Sequence, residues 1–259
     1  MSGRPPTRCV FITGASGGIG SALALAYAAP GMTLILHGRD GARLGNLRRQ
    51  CEALGAQVEL WARDLADLDG LPEAVAALAG QNQIDLAILN AGVTHRTPDQ
   101  GEGEDWPDIE RVMAVNARAA MATVCGLLPA MRRQGRGHIA LVSSLSAWYG
   151  LAVTPAYCAS KAALKAYGEA LGGWLAPQGI EVTVVLPGFV RSAMSDQFPG
   201  PRPWLMSPDR AARIIRRGLQ RGRARIAFPL VLDLGLRLLS VIPAGVSRTI
   251  LVLLGYAGR

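Results

Sequence analysis

Apolar and polar positions follow two rhythms along the chain. Short apolar runs at 10–12, 33–37, 57–61, 84–89, 138–142 and 181–186 read as buried strands. Between them, stretches at 19–29, 41–54, 71–78, 105–131 and 155–175 carry helical spacing and helix-forming residues. The punctuation agrees: Pro30-Gly31 stops the first helix and Gly55 closes the second. Alternation of this kind with short connections predicts an α/β fold, a doubly wound parallel sheet with helices on both faces and right-handed crossovers. No linker or repeat interrupts the pattern, so residues 1–259 are read as a single domain.

Two regions depart from it. The segment 189–206 holds Pro199, Gly200, Pro201 and Pro203, which disfavour regular structure, beside the bulky Phe198, Trp204 and Met206. Long irregular segments in compact domains are commonly lids or binding loops, and this one is assigned as a substrate loop. Residues 207–259 form an apolar C-terminal helical extension. Its first part, 209–221, reads as a basic amphipathic helix with Ala212, Ile215 and Leu219 on one face and Arg213, Arg216 and Arg217 elsewhere. The next part, 226–254, is rich in Leu, Val and Ile but is broken by Asp233, Arg237, Pro243 and Arg248. No unbroken apolar run reaches the ~20 residues of a spanning helix. The extension is left with three roles: closing a pocket, making a subunit contact, or lying on a membrane surface through 209–254.

Composition narrows the classes. Half of the 259 residues are hydrophobic, as in a folded globular protein. The formal net charge is +8, nearly all of it arginine, because Lys161 and Lys165 are the only lysines. The basic residues concentrate between Arg202 and Arg225 without interleaved aromatics or a binding motif, which argues against a nucleic-acid partner. Cys9, Cys51, Cys125 and Cys158 form no CxxC pair, and with three histidines no metal site is expected. Reduced thiols in a cytoplasmic protein are the simpler reading, with attachment to the inner membrane face as a variant of it. The residues before Cys9 lack the apolar stretch of a signal peptide.

Thr13-Gly14-Ala15-Ser16-Gly17-Gly18-Ile19-Gly20 joins the first strand to the first helix. Glycines there let the backbone turn sharply and approach a pyrophosphate, while the helix presents free N–H groups and its positive dipole end. The spacing of Gly14, Gly18 and Gly20 is GxxxGxG. About 20 residues further on, the residue ending the second strand commonly selects between the two nicotinamide cofactors. Here it is Arg39, whose guanidinium fork suits a 2′-phosphate and favours NADP(H). Asp40, next to it, keeps NAD(H) open through the ribose hydroxyls.

Tyr157 and Lys161 lie four apart on a predicted helix and share one face. A cation near a phenol favours the phenolate, and a Tyr so tuned can exchange a proton with a carbonyl oxygen or an alcohol. Five tyrosines and two lysines give ~0.04 such pairs by chance in this chain. Ser144 ends the fifth strand, at the carboxyl edge where open α/β sheets bind ligands.

With these residues in place, the chain strongly resembles the classical short-chain dehydrogenase/reductase family over about residues 8 to 195. The turn at 13–20 is similar to that family's TGxxxGIG motif, Asn90-Ala91-Gly92 to its NAG motif, and Tyr157-Cys158-Ala159-Ser160-Lys161 to its YxxxK motif. The resemblance implies a Rossmann-type sheet and a catalytic set of Asn116, Ser144, Tyr157 and Lys161, with Asn116 supporting a water-linked proton relay. It also implies cofactor contacts from Gly14, Ser16, Gly18, Ile19 and Gly20. Further contacts would come from Arg39, from Asp64 and Leu65 around the adenine, and from Asn90, Ala91 and Gly92. Pro187, Gly188, Val190 and Ser192 would hold the carboxamide; the family often has Thr where Ser192 stands. Tyr157 and Lys161 would touch the cofactor as well. The implied activity is interconversion of a carbonyl and an alcohol by hydride transfer, in a homodimer or homotetramer paired through 105–131 and 155–175. Phe189, Met194, Phe198, Trp204 and Met206, with Trp148 and Tyr149, suggest an apolar wall for a lipid-like, steroid-like or aromatic carbonyl, or else simply cover the core. The competing function is a non-catalytic nucleotide-sensing protein on the same fold, which usually lacks one catalytic residue.

Overall fold

The structure is a computed structural model and describes residues 7–95, 103–198 and 200–256. Seven parallel strands form one sheet: β1 Cys9–Thr13, β2 Thr33–Gly38, β3 Gln57–Ala62, β4 Leu86–Leu89, β5 Gly137–Val142, β6 Ile180–Pro187 and β7 Arg225–Phe228. Their spatial order is β3-β2-β1-β4-β5-β6-β7. The order reverses between β1 and β4, so the connections after these strands leave on opposite sides and open a crevice at the carboxyl edge.

The helices are α1 Gly18–Tyr27, α2 Gly41–Ala53, α3 Leu71–Gln81, α4 Trp106–Met113, α5 Ala119–Gln134, α6 Pro155–Leu175, α7 Ala193–Asp196, α8 Pro208–Gln220, α9 Leu230–Val241 and α10 Ala244–Leu253. Strand side chains alternate between the two faces, because successive Cβ atoms point to opposite sides. Val10, Ile12, Leu34 and Leu36 pack on one face with residues of α1, α2 and α8. Phe11, Ile35, Ala87 and Leu89 pack on the other with residues of α3, α5 and α6. This is the doubly wound Rossmann-type sheet, with helices on both faces, that the sequence pattern predicts.

Three local expectations are corrected. The extension 207–259 is not wholly helical: Arg225–Phe228 adds a strand beside β6, with Pro187 level with Phe228. Its four residues run into the apolar start of α9, and periodicity cannot part a short buried strand from such a helix. The segment 189–206 is not wholly irregular either. Ser192 and Ser195 form a reciprocal capping box that starts α7, and Val190 bridges Met206. Pro199 lies outside the described residues. Finally, the helix expected over 105–131 changes pitch at Ala114–Arg118, a π-helical turn that holds Asn116.

Candidate active site

The glycine turn lies at the crevice between β1 and β4. Gly14 has φ +64°, a conformation open to glycine, and a Cβ there would lie 2.8 Å from the Ala91 Cα. A Cβ on Gly20 would lie 2.2 Å from the Gly14 carbonyl oxygen, so turn and helix can meet only as glycines. Asn90 fastens β4 to this turn: its Nδ2 donates to the carbonyls of Thr13 (3.2 Å) and Gly14 (3.1 Å). The Thr13 hydroxyl accepts the N–H groups of Asn90 and Ala91. On the other side the Gly14 N–H donates to His37 Nδ1 (3.2 Å), while His37 Nε2 meets the Arg63 carbonyl (2.9 Å). Burial lowers the His37 pKa, which keeps the ring neutral and Nδ1 an acceptor.

Helix α1 follows Gly17 at its N-cap, with no side-chain cap and no acidic residue in its first turn. Its first N–H groups are thus offered to the crevice, a donor set suited to a phosphate. Beside it a continuous cleft of about 1050 Å³ runs along the carboxyl ends of the strands. Gly14, Ser16, Gly18 and Ile19 line it, as do Arg39, Asp64 and Leu65 at its β2 end. Asn90, Ala91 and Gly92 form its floor, and Pro187, Gly188, Val190 and Ser192 its far side. Ser144, Tyr157 and Lys161 face the same space. Gly20 and Asn116 stand behind this wall rather than on it.

Asp40 is committed elsewhere. It caps α2, accepting the Arg43 N–H (3.0 Å) and pairing with the Arg43 guanidinium (3.1 Å). Arg43 lines the cleft with Arg39, so two guanidiniums face its β2 end. Sequence reading missed Arg43, although its place four residues after Arg39, at the start of a helix, was the available signal. Arg39 lies 3.8 Å from Asp64 and stays half exposed.

The titratable cluster is built by β5, α6 and the loop between them. Ser144 lies two residues past the end of β5 and caps a short 3-10 turn, accepting the Ser146 N–H (3.2 Å). The Tyr157 hydroxyl and Ser144 face one another in the cleft. Burial pushes the Tyr157 phenol up to about 12, and the nearby Ser144 hydroxyl opposes the rise. The sequence argument expected Lys161 to lower that value; in the protein alone burial raises it, and the opposing influence comes from Ser144. Lys161 is itself buried, and its pKa falls to about 8. Its Nζ donates to the Val142 carbonyl (3.0 Å) and lies 5.7 Å from the Tyr157 ring centre. Ser143 ties the same helix down by donating to the Lys161 carbonyl (2.7 Å).

Asn116 is fully buried. Its Oδ1 accepts the Val93 N–H (2.7 Å), and its Nδ2 donates to the Val93 carbonyl (2.9 Å) and to Ser160 Oγ (3.0 Å). These bonds hold the segment after Gly92 against α6, and a Cβ on Gly92 would come 3.3 Å from both Asn116 Oδ1 and Lys161 Nζ. Glu104 was also missed. Thr154 gives α6 no side-chain cap, and the Glu104 carboxylate instead accepts the Ala156 N–H (2.8 and 3.1 Å), one residue before Tyr157. His95 Nε2 sits 2.9 Å from the same carboxylate. Fifty-two residues separate Glu104 from the helix it caps, so no local pattern marks it.

The apolar wall divides. Phe189, Met194, Phe198 and Trp204 line the cleft beyond Tyr157, whereas Met206 is buried in the core. Trp148 and Tyr149 line a separate hollow. Trp148 donates its indole N–H to Asp233 (2.9 Å) and stacks with Lys165, Arg225 and Arg237.

Sheet, glycine turn and titratable cluster meet at one cleft, which makes the chain a Rossmann-type oxidoreductase working with a nicotinamide dinucleotide. The family model for short chain dehydrogenases matches residues 8–201. An uncharacterized oxidoreductase of Myxococcus xanthus is 36% identical over 91% of this chain and 93% of its own length. A fatty acyl-CoA reductase of Acinetobacter baylyi is 31% identical over 72% of this chain, which spans 64% of that protein. The solved short-chain dehydrogenase of Sphingobium yanoikuyae, in complex with NADPH, is 26% identical with a TM-score of 0.80, covering 95% of each chain. The chain belongs to the short-chain dehydrogenase/reductase family.

Proposed function

We propose that the protein is an NADP(H)-dependent reductase of apolar carbonyl compounds, with Tyr157 as general acid. The observation that carries this is the shared cleft of Ser144, Tyr157 and Lys161 beside the uncapped start of α1, continued by the apolar wall. A nicotinamide cofactor held along the glycine turn would supply the hydride for the carbonyl carbon. Ser144 and Tyr157 hold the carbonyl oxygen, and as its π pair becomes a lone pair Tyr157 delivers the proton there. The phenol's pKa near 12 keeps that proton in place until the oxygen becomes basic. Lys161 orients the ribose side and returns a proton to Tyr157, and Asn116 fixes the backbone around that route. The non-catalytic alternative has less support, since no member of the set is missing.

The preference for NADP(H) rests on Arg39 and Arg43 together with Asp40's engagement in capping α2. A charge-assisted bond is worth about 1.5–3 kcal/mol. Arg39→Ala should therefore raise the Kd of NADPH roughly tenfold or more while leaving that of NADH nearly unchanged, as titrated by nicotinamide fluorescence. An equal loss for both would assign Arg39 to the shared part of the cofactor.

The exposed Trp106 on α4 and Trp174 on α6 fit self-association through the long helices. The free thiols of Cys9, Cys51, Cys125 and Cys158 fit a reducing, cytoplasmic setting. We read 1–259 as one working unit: core 8–195, substrate loop 189–206, extension 207–259. The assay that tests the function is loss of NADPH absorbance against ketones and aldehydes of increasing chain length. The rate constant kcat/KM should rise with chain length, whereas activity confined to small polar carbonyls would refute the apolar reading.

A further inference from the structure

Helix α9 is apolar on both sides: Leu232, Leu236 and Leu239 pack inward, yet its outer side is apolar too. Leu230, Val231, Leu234, Leu238 and Val241 fall on one stripe, and each is more than half exposed. The charges face away from it. Asp233 is 3% exposed and pairs with Arg237 (2.7 Å), which folds back over Trp148. A helix facing water carries its charges on the outer side. The adjoining α10 adds Val246, Val252 and Leu253, the last 81% exposed. An apolar surface of this extent marks an interaction site.

The same surface surrounds the mouth of the active-site cleft. Val231, Leu238, Leu254 and Trp204 line the cleft and are each more than half exposed. Deeper in, Leu236, Leu239 and Leu251 continue the apolar lining towards Tyr157. Trp204 takes φ +53°, a left-handed conformation that is costly for an aromatic residue and that here accompanies an exposed indole at the mouth. An indole at such a boundary suits the interfacial zone of a bilayer.

We propose that the α9–α10 face seats on an anionic lipid bilayer, and that the cleft draws a long-chain carbonyl substrate from the membrane through this mouth. The second half rests on the reductase reading above. Charge is compatible with such a bilayer: the chain is basic overall at +8, and α10 carries Arg248. Within α9 and α10 the one acid is Asp233, already paired. Geometry favours it. A protein partner on this face would stopper the cleft, whereas a bilayer would feed it. Trp106 and Trp174 meanwhile offer a different face for self-association. Insertion would follow the rule for interfacial helices, with the apolar face entering the headgroup and upper acyl region and arginines meeting anionic headgroups.

The test is the double variant L234D/V241D, which places two carboxylates on the stripe at residues that do not line the cleft. The wild-type protein should float with vesicles of mixed phosphatidylglycerol and phosphatidylcholine, less with phosphatidylcholine alone, and the variant should stay behind. With hexadecanal embedded in the mixed vesicles, NADPH oxidation should fall about tenfold or more in the variant, while hexanal in solution is reduced equally by both. Absence of wild-type flotation, or equal flotation of the variant, overturns the proposal. So does sedimentation showing that the variant breaks a wild-type oligomer, because the face is then a subunit contact. Flotation without a selective loss on hexadecanal overturns the feeding route. Flotation of a protein inert towards both aldehydes refutes the reductase reading and leaves the membrane face standing.

Discussion

Tyr157→Phe is expected to lower kcat for carbonyl reduction by about 10²–10⁴-fold, the usual worth of a positioned general acid. The substitution keeps the ring that lies beside Lys161 and removes only the hydroxyl that faces Ser144. NADPH binding should therefore change less than about twofold by fluorescence titration, a small fraction of the catalytic effect. The pH behaviour of the parent protein separates this role from a structural one. Because burial pushes the phenol up to about 12, Tyr157 stays protonated across the working range and supports reduction throughout. Alcohol oxidation needs the phenolate, so its rate should climb with pH without levelling near neutrality. Phe at 157 should abolish that climb. Reduction persisting near the parent rate would remove Tyr157 from the mechanism, and a parallel collapse of NADPH binding would make it a packing residue.

The parts of this site legible in the sequence are those written locally. The glycine turn occupies eight consecutive residues between a strand and a helix, and Tyr157 and Lys161 sit one helical turn apart. Ser144 was placed by the rule that ligands gather at strand ends, which needs only the strand boundary. What escaped depends on segments far apart in the chain. Glu104 caps α6 from 52 residues away, and the bonds of the Asn116 amide to Val93 and Ser160, though not Asn116 itself, went unread because they span 23 and 44 residues. Trp148 reads as a pocket aromatic until Asp233, 85 residues later, is seen to take its N–H. The strand Arg225–Phe228 was illegible for a different reason, since four residues leading into an apolar helix carry too little period to be told from it. The surface of α9 was half legible: Asp233 and Arg237 were read as interruptions, but only packing shows that the acid goes inward while Leu230, Leu234 and Leu238 stay outward.

Lys161→Met should be the second most damaging change. The side chain is buried, so a methionine of similar length fills the space without a cavity and removes only the ammonium. That ammonium donates to the Val142 carbonyl at the end of β5 and faces Gly92 and Asn116 across the cleft floor. Its loss leaves the carbonyl unpaired and strips the site of the cation best placed to hold ribose oxygens and resupply Tyr157. A fall of roughly 10²–10³-fold in kcat/KM is expected, shared between cofactor affinity and turnover. The sign of the pH effect follows from burial, which brings the Lys161 pKa down to about 8 from its usual place above 10. Below about 8 the group carries its charge, and above it the charge is lost. For the parent protein, kcat/KM measured with respect to NADPH reports the free enzyme and should decline as pH rises through about 8. In Lys161→Met the same profile should be low and flat across that interval. A variant that keeps the decline would assign it to another group, and one that keeps the parent's magnitude would take Lys161 out of both binding and proton return.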